Sequence, residues 1–228
     1  IIYIITQLSV LIADKYTVTS SDDKLFLEKR FFVPKHKIEL RRNWVNTPTK
    51  NNNFSERSQN EILSVGRLES QKNFKHLIAV AKGTSKKIVI FGEGSEKGSL
   101  IELANQNHVS IEINSPVENN DLVEIMSKHA FYITTSLFEG NPKSILEAMG
   151  AGCVVVAPKY GNNVEIIDNY ANGYLYDLKT ENPIELINSK TFEELEIISI
   201  NAFNTVADGF GLNKFVESEI RECAKLLK

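Results

Sequence analysis

The chain has 228 residues, 42% of them hydrophobic, a composition that supports a folded core and excludes a disordered chain. Its 26 basic and 29 acidic residues leave a net charge of −3, which excludes a basic field for binding nucleic acid. The two cysteines, Cys153 and Cys223, lack metal-ligand spacing and indicate a reducing compartment without a disulfide framework.

The first 45 residues predict only a few elements. The apolar opening, 1–13, is predicted to be helical; it is too short for a membrane span and lacks the flank and cleavage site of a signal peptide. The elements predicted after it are a strand at 16–20, a helix capped by Ser21 or Asp22, and a strand at 38–40. Because so few elements cannot bury their own faces, 1–45 is expected to be the remnant of a truncated N-terminal domain.

The polar stretch 46–60 is rich in Asn, Ser and Thr and is predicted to be a linker. Over 61–205, apolar runs alternate with helical patterns, which predicts a Rossmann-like α/β domain: a parallel sheet with helices on both faces. The strands are predicted at 61–66, 86–91, 109–113, 130–134, 153–157 and 173–176. The helices between them are predicted at about 73–82, 96–106, 118–128, 142–149 and 163–169. A C-terminal helix is predicted within 206–228.

Residues 130–158 contain a loop and a short helix between two predicted buried strands. Asn141 is predicted to cap this helix and Pro142 to begin it. Its apolar side chains are expected to pack inward. The side chains expected on the opposite face are those of Lys143, Ser144 and Glu147.

The same segment offers two carboxylates eight positions apart, Glu139 in the loop and Glu147 in the helix. Backbone N–H groups at the helix start lack partners within the helix and can bind an anion. This arrangement suits a ligand with a negative centre and hydroxyl-rich ends, such as a nucleotide-sugar. The alternative is an ordinary strand–loop–helix unit with solvated acids.

Three other motifs follow predicted strands, where ligands of parallel sheets bind. Arg67 and Lys72 follow Gly66, and such cations can stabilise a leaving diphosphate as its charge grows; the alternative is two solvated side chains. The Gly92-Glu93-Gly94 run forms either a ligand-binding turn or a tight strand-to-helix turn. The third motif, at 161–165, reads Gly-Asn-Asn-Val-Glu.

These motifs resemble those of the retaining GT-B glycosyltransferases of family 4. The residues that match the Glu-x7-Glu signature of that family are Ser136, Glu139, Gly140, Pro142, Glu147, Ala148, Met149 and Gly152. The Gly66–Lys72 run is similar to its G-R-L-x-x-x-K motif, and 161–165 to its G-G-x-x-E motif with Asn162 in place of the second glycine. Ala13–Asp14 through Asn43 resembles the end of its first domain.

The resemblance implies a role for each site residue. Arg67 and Lys72 would neutralise the diphosphate, Glu139 with the backbone after Gly140 would hold the donor sugar, and Glu147 would hold the ribose. Of these residues, the ones given catalytic roles are Arg67, Lys72 and Glu139. The further donor-binding residues are Gly66, Gly92, Gly94, Val117, Ser136, Asn141, Pro142, Lys143 and Ser144.

The implied reaction is metal-independent transfer of a sugar from a UDP- or GDP-linked donor, with retention and without a cofactor. The acceptor would be a glycan or lipid-linked glycan, bound through the missing N-terminal domain, so this chain alone is expected to be inactive. The implied location is cytoplasmic, with peripheral association at the inner face of the membrane.

Two other functions stay open: a non-catalytic nucleotide-binding subunit of a split GT-B enzyme, and a sugar-nucleotide epimerase. The sequence contains no motif that indicates another chemistry. The histidines at 36, 76, 108 and 129 lack metal spacing, and the chain has no Asp-x-Asp, nucleophile-elbow or P-loop motif.

Overall fold

The structure is a computed structural model of the chain. The residues that it describes are 5, 8–10, 12–46 and 53–226. They divide into two compact units, Ile1–Asn43 and Trp44–Lys228. Of the predicted opening helix, only residues 5, 8–10 and 12 are described as helical.

The first unit contains a parallel pair of strands, β1 (Tyr16–Val18) and β2 (Ile38–Leu40), with helix α1 (Ser21–Phe31) between them in the chain. The predicted caps, Ser21 and Asp22, are instead the first residues of the helix. The cap is Ser20, whose Oγ accepts a hydrogen bond from the backbone N of Asp23 at 3.0 Å. Because Ser20 serves as the cap, β1 ends two residues earlier than predicted.

The described part of the second unit contains a six-stranded parallel sheet in the order β5-β4-β3-β6-β7-β8. Its strands are β3 (Ser58–Val65), β4 (Lys87–Phe91), β5 (Ile111–Asn114), β6 (His129–Ile133), β7 (Val154–Pro158) and β8 (Tyr174–Tyr176). Every predicted strand of this region is present, and its bounds lie within three residues of the prediction. The predicted α/β fold with a parallel sheet is therefore confirmed.

The strands read as continuous apolar runs because helices cover both faces of the sheet. Successive residues point to opposite faces, so Ile62 enters one hydrophobic core and Leu63 the other. The helices are α2 (Phe74–Val80), α3 (Lys97–Gln106), α4 (Asn119–Ser127), α5 (Lys143–Gly150), α6 (Asn163–Ile166), α7 (Pro183–Asn188), α8 (Phe192–Gly209) and α9 (Leu212–Leu226).

Two proposed segment boundaries differ from the structure. In the predicted linker 46–60, the Phe54 side chain is buried and β3 already begins at Ser58, so the end of this stretch belongs to the second unit. The proposed division after residue 205 falls within α8. That helix continues because Val206 is fully buried in the same core as the preceding turns.

The order of the strands positions the functional residues. The chain runs outward from β3 through β4 to β5, then returns to the other side of β3 as β6. Such a reversal leaves a crevice at the carboxyl ends of the two central strands, where open α/β sheets bind ligands. The segments after β3 and β6 therefore lie side by side.

Candidate functional site

The loops after β3 and β6 are joined by hydrogen bonds. The backbone N of Leu137 donates to the carbonyl of Gln71 at 2.8 Å, and the Gln71 side chain donates to the carbonyl of Phe138 at 3.1 Å. Thr135 adds a third contact by donating from its hydroxyl to the carbonyl of Lys72 at 3.0 Å. These bonds bring together two motifs that lie far apart in the chain.

Lys72 and Glu139 meet at this junction. Their side chains form an ion pair, Nζ to Oε1, at 2.6 Å, although the residues are 67 positions apart. The side chains are only 18% and 12% exposed, so water screens the pair less than a surface pair. The Lys72 stem lies over Gly66, where a Cβ would come within 2.9 Å of Lys72 Cε. A glycine at that position therefore makes room for the lysine.

A cavity of about 490 Å³ opens beside the ion-paired loops. Most of its wall is apolar, whereas the Arg67 residue at its edge is exposed to solvent. The residues that line it are Val65, Gly66, Arg67, Phe91, Gly92, Glu93, Gly94, Pro116, Val117 and Leu122. Five of the predicted donor-binding residues, those at positions 66, 67, 92, 94 and 117, are among them.

Gly92 lets two loops approach each other closely. A Cβ on Gly92 would lie 1.9 Å from the carbonyl oxygen of Gly66, so no larger residue fits there without movement of the backbone. Neighbouring main-chain hydrogen bonds join the same loops, with Leu68 N donating to Glu93 O at 2.9 Å. The Gly-x-Gly turn is explained by this contact between loops, and the residues at 92 and 94 still face the cavity.

Glu147 is buried, although the sequence predicts that it lies on the helix face opposite the apolar side chains. All residues of α5 from Ile145 onward are buried, because another helix covers the face opposite the sheet. The Glu147 Oε1 atom accepts a hydrogen bond from Asn119 Nδ2 on α4 and lies 3.4 Å from Lys143 Nζ on its own helix. Helical spacing predicted that Lys143, Ser144 and Glu147 share one face of α5. It did not predict that another helix packs against that face and buries Glu147.

Two tyrosines lie near the carboxylates. Burial raises the pKa of Tyr132, and the negative charges of Glu139 and Glu147 contribute to the same shift. Burial likewise raises the pKa of Tyr160, with a smaller contribution from Glu139. Both phenols therefore stay protonated at neutral pH.

The remaining predicted donor-binding residues are buried, contact other protein groups or lie at the start of α5. Ser136 is fully buried and its hydroxyl lies 3.1 Å from that of Thr134. The Gly140 carbonyl accepts a hydrogen bond from Asn162 Nδ2. The helix α5 begins at Lys143, one residue later than predicted. The buried residue Pro142 therefore occupies the cap position, without a side-chain hydrogen bond, and Asn141 does not cap the helix. Ser144 lies half-buried in the first turn of α5.

Sequence reasoning missed Asn119 and Leu122 as site residues. Asn119 contacts Glu147 across 28 positions, and no local pattern links the two. Leu122 belongs to the apolar face of α4, where it looks like an ordinary core residue, but it also lines the cavity. The sequence indicates Asn162 only as a replacement for glycine, although its side chain donates to the Gly140 carbonyl.

Two kinds of feature are absent from the described ranges 12–46 and 53–226 and from the few described residues before them. Within them, no helix combines the length and the apolar character needed to cross a membrane. No cluster of three or more His, Cys, Asp or Glu side chains suited to a metal ion occurs there either.

Comparison with solved structures supports the fold assignment. HepE of Anabaena, in complex with UDP, superposes with a TM-score of 0.82 at 15% identity, covering 96% of this chain and 65% of that chain. At this identity the likeness shows the fold alone. It confirms the α/β fold, a parallel sheet flanked by helices.

Sequence comparison identifies the family. The chain is 30% identical over 154 residues to an amylovoran biosynthesis glycosyltransferase of Erwinia amylovora, and 28% identical over 225 residues to an uncharacterized glycosyltransferase of Haemophilus influenzae. These alignments cover 64% and 92% of this chain, but only 43% and 61% of the relatives. The family model described as glycosyl transferases group 1 matches residues 46–189. The chain therefore belongs to the group 1 glycosyl transferases.

Proposed function

We propose that this chain binds the nucleotide-sugar donor of a retaining, metal-independent glycosyltransferase of family 4, with UDP or GDP as the nucleotide. The observation that carries the proposal is the 2.6 Å ion pair between Lys72 and Glu139. It joins the two loops at the reversal of the sheet, directly beside the cavity. A diphosphate and a sugar are neighbours in such a donor, and they need a cation and a hydrogen-bond acceptor side by side.

The cavity supports binding of the nucleoside. Its apolar side chains, which include those of Phe91, Val117 and Leu122, can cover the flat face of a base. Glu147 on the neighbouring helix keeps a carboxylate available for the hydroxyls of the ribose. Hydrogen bonds to a carboxylate are among the stronger polar contacts in proteins, so a ribose fits this position.

Arg67 and Lys72 support binding of the diphosphate. As the bond between the anomeric carbon and the diphosphate oxygen breaks, negative charge grows on the leaving group, and both cations stabilise it. In the proposed reaction the acceptor hydroxyl attacks from the same side. Its oxygen bonds to the anomeric carbon, and its proton passes to the departing diphosphate. Because the acceptor attacks from the face that the diphosphate leaves, the configuration at the anomeric carbon is retained.

The acceptor is proposed to be a glycan or a lipid-linked glycan, at the cytoplasmic face of a membrane. The relative from Erwinia amylovora, which is named for amylovoran biosynthesis, supports this class. Since the chain spans 43% of that relative, we propose that transfer also needs the acceptor-binding part of a longer protein or of a partner chain.

Titration calorimetry with UDP, GDP and ADP in the presence of EDTA tests the proposal. We expect binding of one nucleotide without metal, and a loss of roughly 10- to 150-fold for Lys72→Ala or Arg67→Ala, because each removes a charged hydrogen-bonding group. Lys82→Ala is the matched control, since this exposed lysine precedes the amino end of β4, away from the carboxyl ends of the strands. Equal affinity in all three variants, or binding only after Mg²⁺ is added, would contradict the proposal.

A further inference from the structure

We propose that Asn119 is a positioning residue that orients Glu147 and thereby sets the preference of the site for a ribonucleotide over its 2′-deoxy form. The inference rests on the proposed function, in which Glu147 accepts hydrogen bonds from the ribose. It adds a residue from a different helix, for which the motifs of the sequence predict no role.

The contact between the two residues is close and shielded. Asn119 Nδ2 donates to Glu147 Oε1 at 2.5 Å. The Glu147 side chain is only 6% exposed, and Asn119 is half-buried. A hydrogen bond to a carboxylate gains strength where water is largely excluded, because the local dielectric is low. Asn119 is therefore able to hold the carboxylate in one orientation.

The other group near this carboxylate is less suited to that role. Lys143 Nζ lies 3.4 Å from Glu147 Oε1, but the Lys143 side chain is 49% exposed. A long, solvated lysine loses more conformational freedom when it is held in place than a short asparagine does. Of the two contacts, the one from Asn119 therefore defines the orientation.

Both contacts reach the same oxygen. Lys143 and Asn119 approach Oε1, and no residue within the described part of the chain hydrogen-bonds to Glu147 Oε2. That second oxygen is left to accept from a ligand. If Asn119 were lost, the carboxylate could rotate, and the oxygen offered to the ribose would no longer be defined.

Asn119 also connects Glu147 to the wall of the cavity. Pro116 and Val117 precede it and Leu122 follows it, and all three line the cavity. Glu118 is the cap residue of α4, and it forms no side-chain capping bond. The Asn119 amide is not used at its own helix terminus and reaches across to α5 instead. A nucleoside in the cavity thus contacts the segment that holds Glu147.

The test compares UDP with 2′-deoxy-UDP, or GDP with 2′-deoxy-GDP, by calorimetry on the full chain. The parent chain should prefer the ribonucleotide by roughly 10- to 150-fold, the effect of one hydrogen bond to a charged group. In Asn119→Ala this preference should fall by about 3- to 10-fold, with a smaller change in affinity for the deoxynucleotide. Asn119→Ser is the second variant, should the alanine variant not fold.

Two controls separate positioning from general structure. Asn120→Ala changes the same residue type one position later, at an exposed site, and should leave the preference unaltered. In a Glu147→Gln background, Asn119→Ala should have no further effect on the preference. An effect that persists there would mean that Asn119 contacts the ligand directly, and would overturn the inference.

Failure of this inference can be told apart from failure of the proposed function. If the parent chain binds neither UDP nor GDP, the proposed function is wrong and this inference with it. If the parent prefers the ribonucleotide and the folded Asn119 variants keep the same preference, only this inference is wrong.

Discussion

The two halves of the candidate site are held together by different kinds of contact. On the cavity side, main-chain hydrogen bonds join the loop after β3 to the turn after β4, as between Gly66 N and Phe91 O at 3.1 Å. On the other side, one main-chain bond from Leu137 N to Gln71 O is supplemented by side-chain contacts, Lys72 with Glu139 and Asn119 with Glu147.

This difference bears on how the site responds to a ligand. Main-chain hydrogen bonds do not depend on which side chains are present, except where two backbones approach closely, as at Gly92. We therefore expect the cavity half of the site to be formed before any ligand binds. An ion pair between side chains can exchange its partners for groups of a ligand. We therefore expect Lys72 to turn from Glu139 to the diphosphate when the donor binds.

The largest expected effect is on the cavity half. Gly92→Ala would place a Cβ 1.9 Å from the Gly66 carbonyl oxygen and should lower the free energy of unfolding by about 3 kcal/mol. Gly98→Ala is the matched control, because no atom lies within 4 Å of the added Cβ and alanine favours the helix by roughly 0.5–1 kcal/mol. Urea denaturation measures both. Equal stability of the two variants would show that the loops do not depend on this glycine.

The next effect concerns Glu147. Glu147→Gln should weaken free nucleotide and nucleotide-sugar equally, by roughly 10- to 150-fold, since the ribose is common to both ligands. Glu118→Gln, an exposed carboxylate at the start of α4, is the control. Calorimetry with each ligand, and a thermal melt to verify folding, provide the measurement. A loss confined to the nucleotide-sugar would assign Glu147 to the sugar instead.

The smallest and most selective effect concerns Glu139. Glu139→Gln should weaken the nucleotide-sugar by about 10-fold, because a hydrogen bond from the sugar to a charged group is lost. The same change releases Lys72 from its ion pair, so the free nucleotide should bind about 3-fold more tightly. The two titrations use one protein preparation. A parallel loss for both ligands would mean that Glu139 does not distinguish sugar from nucleotide.

Much of the fold could be predicted because the strands of this sheet are short apolar runs separated by polar segments. Strand β3 shows the limit of that signal. It begins at Ser58, three residues before the predicted start, because Ser58 pairs with His129 of the neighbouring central strand β6. The pairing depends on a neighbour some seventy residues away, which no local pattern contains.

By itself, the sequence determined that the chain alternates strands with helices, and that a Gly-Arg-Leu motif and a pair of glutamates follow two of these strands. These are properties of short segments, set by periodicity and residue type. Only the tertiary structure decided that Lys72 pairs with Glu139, that α4 supplies Asn119 to Glu147, and that Glu147 is buried. Each of these facts depends on which strands are neighbours and on which helix covers α5, and long-range packing sets both.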